Sequence, residues 1–209
     1  MKGLLLKDFY MAKKYCKSYL LLLVCFLALS VMDDDNMFFI FYPCVLCGML
    51  PVNLLSYDEK SKWQLYCGTL PYTKAQIVSS KFLMGLFAQI FVLLVTGIAH
   101  AVRMVMTDSF IADDYIVLLL LLFIISTITC SATLPFIFKF GVEKGRISYY
   151  VLIALVCGAG GIATGLLRSQ KMNIIQFDTI LPILCLVGVG IYILFWYLSI
   201  VFYKKRDIH

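Results

Sequence analysis

Nothing in this sequence cradles a nucleotide phosphate: the pattern G-x-x-x-x-G-K-[ST] is absent from all 209 residues. Histidine and glutamate are nearly absent too, with only His100, His209, Glu59 and Glu143, and there is no H-E-x-x-H. An intramembrane hydrolase needs ionisable partners inside its spans. Neither a catalytic residue nor a metal site is therefore expected, and no cofactor is expected in this chain. Charge is scarce as well, 14% of residues against 62% hydrophobic, with a mean hydropathy of +0.94. A soluble globule of this length would be sticky almost everywhere, which leaves an integral membrane protein.

What is present organises itself as long apolar runs. Crossing about 30 Å of hydrocarbon takes roughly 20 helical residues. Five runs qualify, at about 37–57, 77–102, 115–138, 147–167 and 179–203, and a shorter one, about 18–32, precedes them. The first run has the basic, apolar and small-residue parts of a signal peptide, ending in Ala28-Leu29-Ser30; we read it as a retained anchor. The expected fold is all-α with six transmembrane helices in a single domain spanning 1–209.

Six spans put both termini on one side. Only Arg103, Arg168 and Lys171 of the 18 basic residues would then lie on the other. Basic residues stay in the cytoplasm, so both termini are expected there, in a bacterial cell membrane. The net charge of +6 is thereby a topology signal, and nucleic acid is not an expected partner. The eight cysteines fall mostly within the runs, as small apolar residues. Cys44 and Cys47 are spaced C-x-x-C but have no second pair and no nearby histidine.

Three segments lie outside the spans. MKGLLLKDFYMAKKYCK places Leu5, Phe9, Ala12 and Cys16 on one helical face and is expected to lie in the membrane interface as an elbow helix. SYDEKSKWQLYCGTLPYTKAQIVSSKFL (56–83) is the most polar stretch of the chain. Ser56 with Glu59 reads as a capping box and Gly68 as a helix stop, giving a short helix at about 57–67 on which Glu59, Trp63, Tyr66 and Cys67 share a face. Thr73 with Gln76 forms a second box after Pro71, opening the third span. Read by pattern alone, this segment is either a docking helix or an interfacial helix with its aromatics at headgroup level. The third segment is a short loop, KFGVEKGR (139–146).

Gly158, Gly161 and Gly165 recur along one side of the fifth span. A small-residue stripe lets helices approach closely, either within one subunit, at a seam between two copies, or where a gate bends. The local fit to G-x-G-x-x-A lies in an apolar run with no preceding strand, against a dinucleotide site.

The start MKGLLLKDFY, the loop with Asp58-Glu59-Lys60, Leu70-Pro71 and Ser80-Lys81-Phe82, and PFIFKFGVEKGRISYY together resemble the permease subunit of a bacterial type-2 ATP-binding-cassette (ABC) exporter. In length and layout the chain is similar to permeases of phenol-soluble-modulin and bacteriocin-type peptide exporters. The resemblance implies a homodimer bound to two separate ABC ATPase subunits, which carry the ATP and Mg. It also implies a coupling helix in the 57–67 segment, with Asp58, Glu59, Lys60, Trp63, Tyr66 and Lys74 as the ATPase-coupling set. Lys139, Glu143, Lys144 and Arg146 would make a secondary cytoplasmic contact. Where relatives often carry Arg after the Leu-Pro turn, this chain has Tyr72-Thr73-Lys74, so the charge survives but a bidentate contact does not. Counted from Phe82, the spans hold no carboxylate and, save Arg103 near one end, no Lys or Arg. Such a path suits amphipathic or apolar cargo, short membrane-active peptides above all, with lipids or small hydrophobic drugs as the alternative. A non-transport membrane scaffold or sensor that recruits a soluble partner through the same helix is the other reading.

Overall fold

A computed structural model describes residues 2–15, 17–32, 38–67, 69, 71–107, 112–169 and 175–205, with the helix path alone for 159–169 and 175–181. Among these residues the chain is all-helical: α1 (Lys2–Tyr15), α2 (Lys17–Met32), α3 (Phe38–Lys60), α4 (Trp63–Cys67), α5 (Lys74–Met106), α6 (Ala112–Phe140), α7 (Val142–Ser169) and α8 (Ile175–Lys205). Four stretches of the described residues are long and apolar enough to cross a membrane: Phe39–Lys60, Lys74–Met106, Tyr115–Phe140 and Pro182–Lys205. The apolar stretch of α2, Lys17–Leu29, is shorter.

The bundle is organised around α6, which packs against α3, α5, α7 and α8. Near one end the core joins Val52 and Leu55 of α3, Phe82 of α5, Leu134 and Phe138 of α6 and Tyr203 of α8. Farther along, Leu23, Ile40, Cys44, Cys47, Val92 and Leu122 form a second cluster. Cys44 and Cys47 therefore pack as apolar side chains. Two glycines set how closely α3, α5 and α6 approach. A Cβ on Gly48 would lie 2.8 Å from Thr129 Cγ2 and 3.1 Å from its backbone carbonyl carbon. One on Gly85 would lie 2.6 Å from Cys130 Sγ and 3.2 Å from Pro51 Cγ. Gly48→Val should therefore overpack the α3–α6 contact by about 1–3 kcal/mol, measurable as a lower melting temperature of the purified protein in detergent. Unchanged melting would mean that the two helices separate there at little cost.

Two local expectations need correction. The capping box of Ser56 and Glu59 does not form, because helix α3 runs through Ser56 to Lys60 and Ser56 is buried in mid-helix. The break comes instead at Ser61 and Lys62, where Lys62 takes the left-handed conformation (φ 53°) and Ser61 Oγ donates to Asp58 O. The face drawn through Glu59, Trp63, Tyr66 and Cys67 is thereby split, and α4 has only five residues. Gly68 and Leu70 lie outside the described residues.

The second correction concerns 139–146, which is not a loop: α6 ends at Phe140, Gly141 alone reverses the chain at φ 89°, and α7 starts at Val142. Only glycine adopts that backbone without strain. Gly145 then packs against Ile137, with no room for a Cβ between the helices. On α1, Leu4 and Asp8 turn into the bundle, and of the Leu5, Phe9 and Ala12 face Phe9 is exposed while Leu5 and Ala12 are half-buried. Cys16 of that face lies outside the described residues. The box of Thr73 and Gln76 forms as read: Thr73 Oγ1 accepts from Gln76 N–H, and Gln76 Oε1 accepts from Thr73 N–H.

Candidate functional site

The end of the bundle where α1, α4, the start of α5 and the ends of α3 and α8 meet holds a buried cluster of four charges. Lys81 is the eighth residue of α5, about 11 Å from its start at 1.5 Å per residue. Its ammonium donates to Asp8 Oδ1 at 2.6 Å and pairs with Asp58 Oδ2 at 2.5 Å. Lys7 donates to Asp58 Oδ1 at 2.7 Å and stands 3.4 Å from Asp8 Oδ1. Ser80 Oγ lies 3.4 Å from Asp8 Oδ2. The side chains of Asp8, Lys81 and Asp58 are 1%, 2% and 4% exposed, and that of Lys7 is 22% exposed.

Two cations and two anions make the cluster neutral, which is how buried ions are tolerated at all. Three segments far apart in sequence are fastened by it: α1 through Lys7 and Asp8, α3 through Asp58, and α5 through Lys81. The apolar path is consequently less free of charge than the sequence suggested, since α5 brings a lysine into the protein, but that charge is neutralised on the spot.

α4 closes over the cluster. The Lys7 ammonium sits 4.2 Å from the centroid of the Trp63 ring, a cation–π contact. Trp63, Cys67, Leu55, Asp58 and Lys81 line a cavity with room for about one water molecule. Cys67 is buried. Burial pushes its thiol above the ordinary value, while Lys7 and Lys81 oppose that shift and Asp58 and Asp8 add to it. Because the thiolate is the nucleophile, Cys67 should alkylate far more slowly at neutral pH in the folded protein than after denaturation, as followed by peptide mass spectrometry. Equal rates would mean that α4 does not cover it.

Around this cluster the residues of the expected coupling set divide. Asp58 is internal. Glu59 Oε2 accepts from the Val142 N–H at 3.3 Å, an anion at the N-terminus of α7. Arg146 donates to Ser56 Oγ at 2.7 Å, and the buried Tyr149 hydroxyl donates to Val45 O at 2.8 Å, so the first turns of α7 are sewn onto α3. Lys74 donates to Lys204 O at 3.3 Å, at the C-terminus of α8. The Lys139 ammonium lies 5.0 Å from the Phe140 ring and 5.1 Å from that of Phe202. Lys60, Tyr66, Glu143 and Lys144 face outward, Tyr66 being 70% exposed.

Sequence reasoning gave Asp58, Glu59, Lys60, Trp63, Tyr66 and Lys74 to one contact and Lys139, Glu143, Lys144 and Arg146 to a second; both sets are positioned at this end of the bundle. It missed Lys7, Asp8 and Lys81. Their one signal is that Asp8 is the sole carboxylate among the five lysines of residues 1–17. Gly158 of α7 stands apart from this end, and a Cβ there would meet nothing within 4 Å. The surroundings of Gly161 and Gly165 lie outside the described residues.

Long apolar helices with a buried cluster of paired charges near one end define a multi-pass α-helical membrane protein. Its particular kind follows from sequence comparison: residues 3–204 match the model of the ABC-2 family transporter proteins, and the chain belongs to that family. It is accordingly an ABC-2 permease, the membrane component of a transporter whose partners are ABC ATPases. No curated protein and no solved structure gives a significant match.

Proposed function

We propose that this chain is the permease of an ATP-driven exporter in the bacterial cell membrane, crossing it six times with both termini cytoplasmic. Two copies form the pathway, and two ATPase subunits dock beneath it. The observation that carries this reading is the junction of α4 with the charge cluster. Tyr66 is presented outward on the same five-residue helix whose Trp63 and Cys67 rest on Lys7, Asp58 and Lys81. A partner gripping Tyr66 and Lys60 would pull on α4, and through Asp58 and Lys81 on α5, one of the membrane-length helices. α4 with the end of α3 thereby acts as the coupling element. Glu143 and Lys144, on the first turn of α7, provide the secondary contact.

The open side of Gly158 supports a seam with a second copy along Gly158, Gly161 and Gly165. For cargo, the large exposed side chains of α5 and α8 are apolar away from the lysine-bearing helix ends, and the charges of the cluster are already paired with each other. Amphipathic peptides suit such a surface better than bare ions, whose desolvation would go uncompensated. The test is the complex of this chain with its ATPase, reconstituted in vesicles. A helical, membrane-active peptide should stimulate ATP hydrolysis more than sodium or potassium does. Cation flux coupled to ATP, with no response to peptide, would overturn the assignment of cargo.

A further inference from the structure

The inward face of α1 is explained by the cluster; its outward face is not. Leu6, Phe9 and Tyr10 are 58%, 57% and 62% exposed and share one stripe by i, i+3 and i+4 spacing. Continued in both directions, the stripe reaches Lys2 on one side and Lys13 and Lys14 on the other, all exposed. An apolar centre with an ammonium at each end is the pattern of a helix lying in the membrane interface, its lysines reaching back to the headgroups.

Past Tyr15 the basic surface continues onto α3. The Tyr15 and Tyr57 rings stack at 4.2 Å, with the Lys14 ammonium 5.3 Å from the first ring and that of Lys60 6.0 Å from the second. Lys17 is exposed nearby in sequence. Of the three carboxylates on α1 and the end of α3, Asp8 and Asp58 are buried in the cluster and Glu59 is turned onto Val142. Glu59 is itself exposed, so this surface carries Lys2, Lys13, Lys14, Lys17 and Lys60 against one outward carboxylate, and its net charge is positive.

We propose that this surface, formed by α1, the start of α2 and the end of α3, binds anionic phospholipid of the leaflet it faces. Acyl chains cover Leu6, Phe9 and Tyr10, and Lys13 and Lys14 hold the headgroup phosphates. Since Lys7 and Asp8 lie on the same helix, lipid bound outside steadies the cluster inside. The inference depends on the chain's place in a membrane and not on its cargo or its ATPase.

The full chain in neutral detergent is melted with added palmitoyl-oleoyl phosphatidylglycerol, with the phosphatidylcholine of the same acyl chains, and with inorganic phosphate. Phosphatidylglycerol should raise the melting temperature by about 3–10 °C at saturation, and the other two should leave it in place. The double variant Lys13→Gln/Lys14→Gln should lose more than half of that rise while melting normally without lipid. Lys13→Arg/Lys14→Arg should keep it. If the glutamine pair does not fold, Lys2→Gln at the other end of the stripe gives the same reading. An equal rise with phosphatidylcholine, a rise with phosphate alone, or an undiminished rise in the glutamine variants would overturn the proposal. So would glutamine variants that keep the lipid response but no longer recover the ATPase, since the surface would then belong to that partner.

Discussion

Lys81→Met should destabilise the protein by about 3–5 kcal/mol, the cost of leaving buried charges without their counterion. Asp8 and Asp58 would face each other with only Lys7 between them, and Lys7 is the most exposed member of the cluster. For a chain of this size the melting temperature should fall by on the order of 10 °C. Adding Asp8→Asn should recover part of the loss, because a matched Lys7–Asp58 pair then remains at 2.7 Å. The double-mutant cycle should accordingly show a coupling well outside the few tenths of a kcal/mol typical of independent sites. Cys67 offers a local readout of the same event. Its slow alkylation should accelerate in Lys81→Met, since α4 would lose the surface on which it rests. A fall of only a degree or two, with the two substitutions additive, would mean that water reaches these charges and that they do not fasten α1, α3 and α5.

Tyr66 and Trp63 should separate docking from folding. Both were placed on one face by spacing, and both lie on α4, yet Trp63 packs against Lys7 while Tyr66 is exposed. Tyr66→Ala should leave melting unchanged and weaken recovery of the ATPase by about 2 kcal/mol or more, a hot-spot loss of roughly 30-fold in affinity. Trp63→Ala should do something different: lower the melting temperature and open Cys67 to alkylation, with any loss of ATPase following from that. If Trp63→Ala impaired only ATPase recovery while Tyr66→Ala had no effect, the roles assigned from burial would be reversed.

These two residues also show how much could be read before the structure was known. Length and hydropathy identified an all-helical membrane protein, and the Thr73 and Gln76 box located the start of α5, because each signal is local. Ser56 with Glu59 misled for a definite reason. The i, i+3 spacing of a capping box recurs on any helical face, and here Ser56 is met by Arg146, 90 residues away. The one-residue turn at Gly141 looked like a loop because charges flank it, yet those charges belong to helix ends. In the sequence Lys81 stood only among the basic residues expected on the cytoplasmic side. Its partner Asp8 is 73 residues distant, and no periodicity reports a contact of that kind. Bonds to other helices distinguish Asp58, Glu59, Lys74 and Arg146 from the exposed Lys60, Tyr66, Glu143 and Lys144, a division composition cannot supply.

The central claim is that α4 receives the ATPase. A photoreactive benzoylphenylalanine at position 66, in the otherwise native chain co-expressed with its ATPase in intact cells, tests it most directly, because Tyr66 is already exposed and a bulky aromatic there disturbs no internal contact. On irradiation the predicted product is an adduct with a separate polypeptide containing G-x-x-x-x-G-K-[ST], whose yield changes when ATP is depleted. Adducts with lipid alone, or with a soluble protein that has no phosphate loop, would contradict the account and favour a scaffold that does not transport.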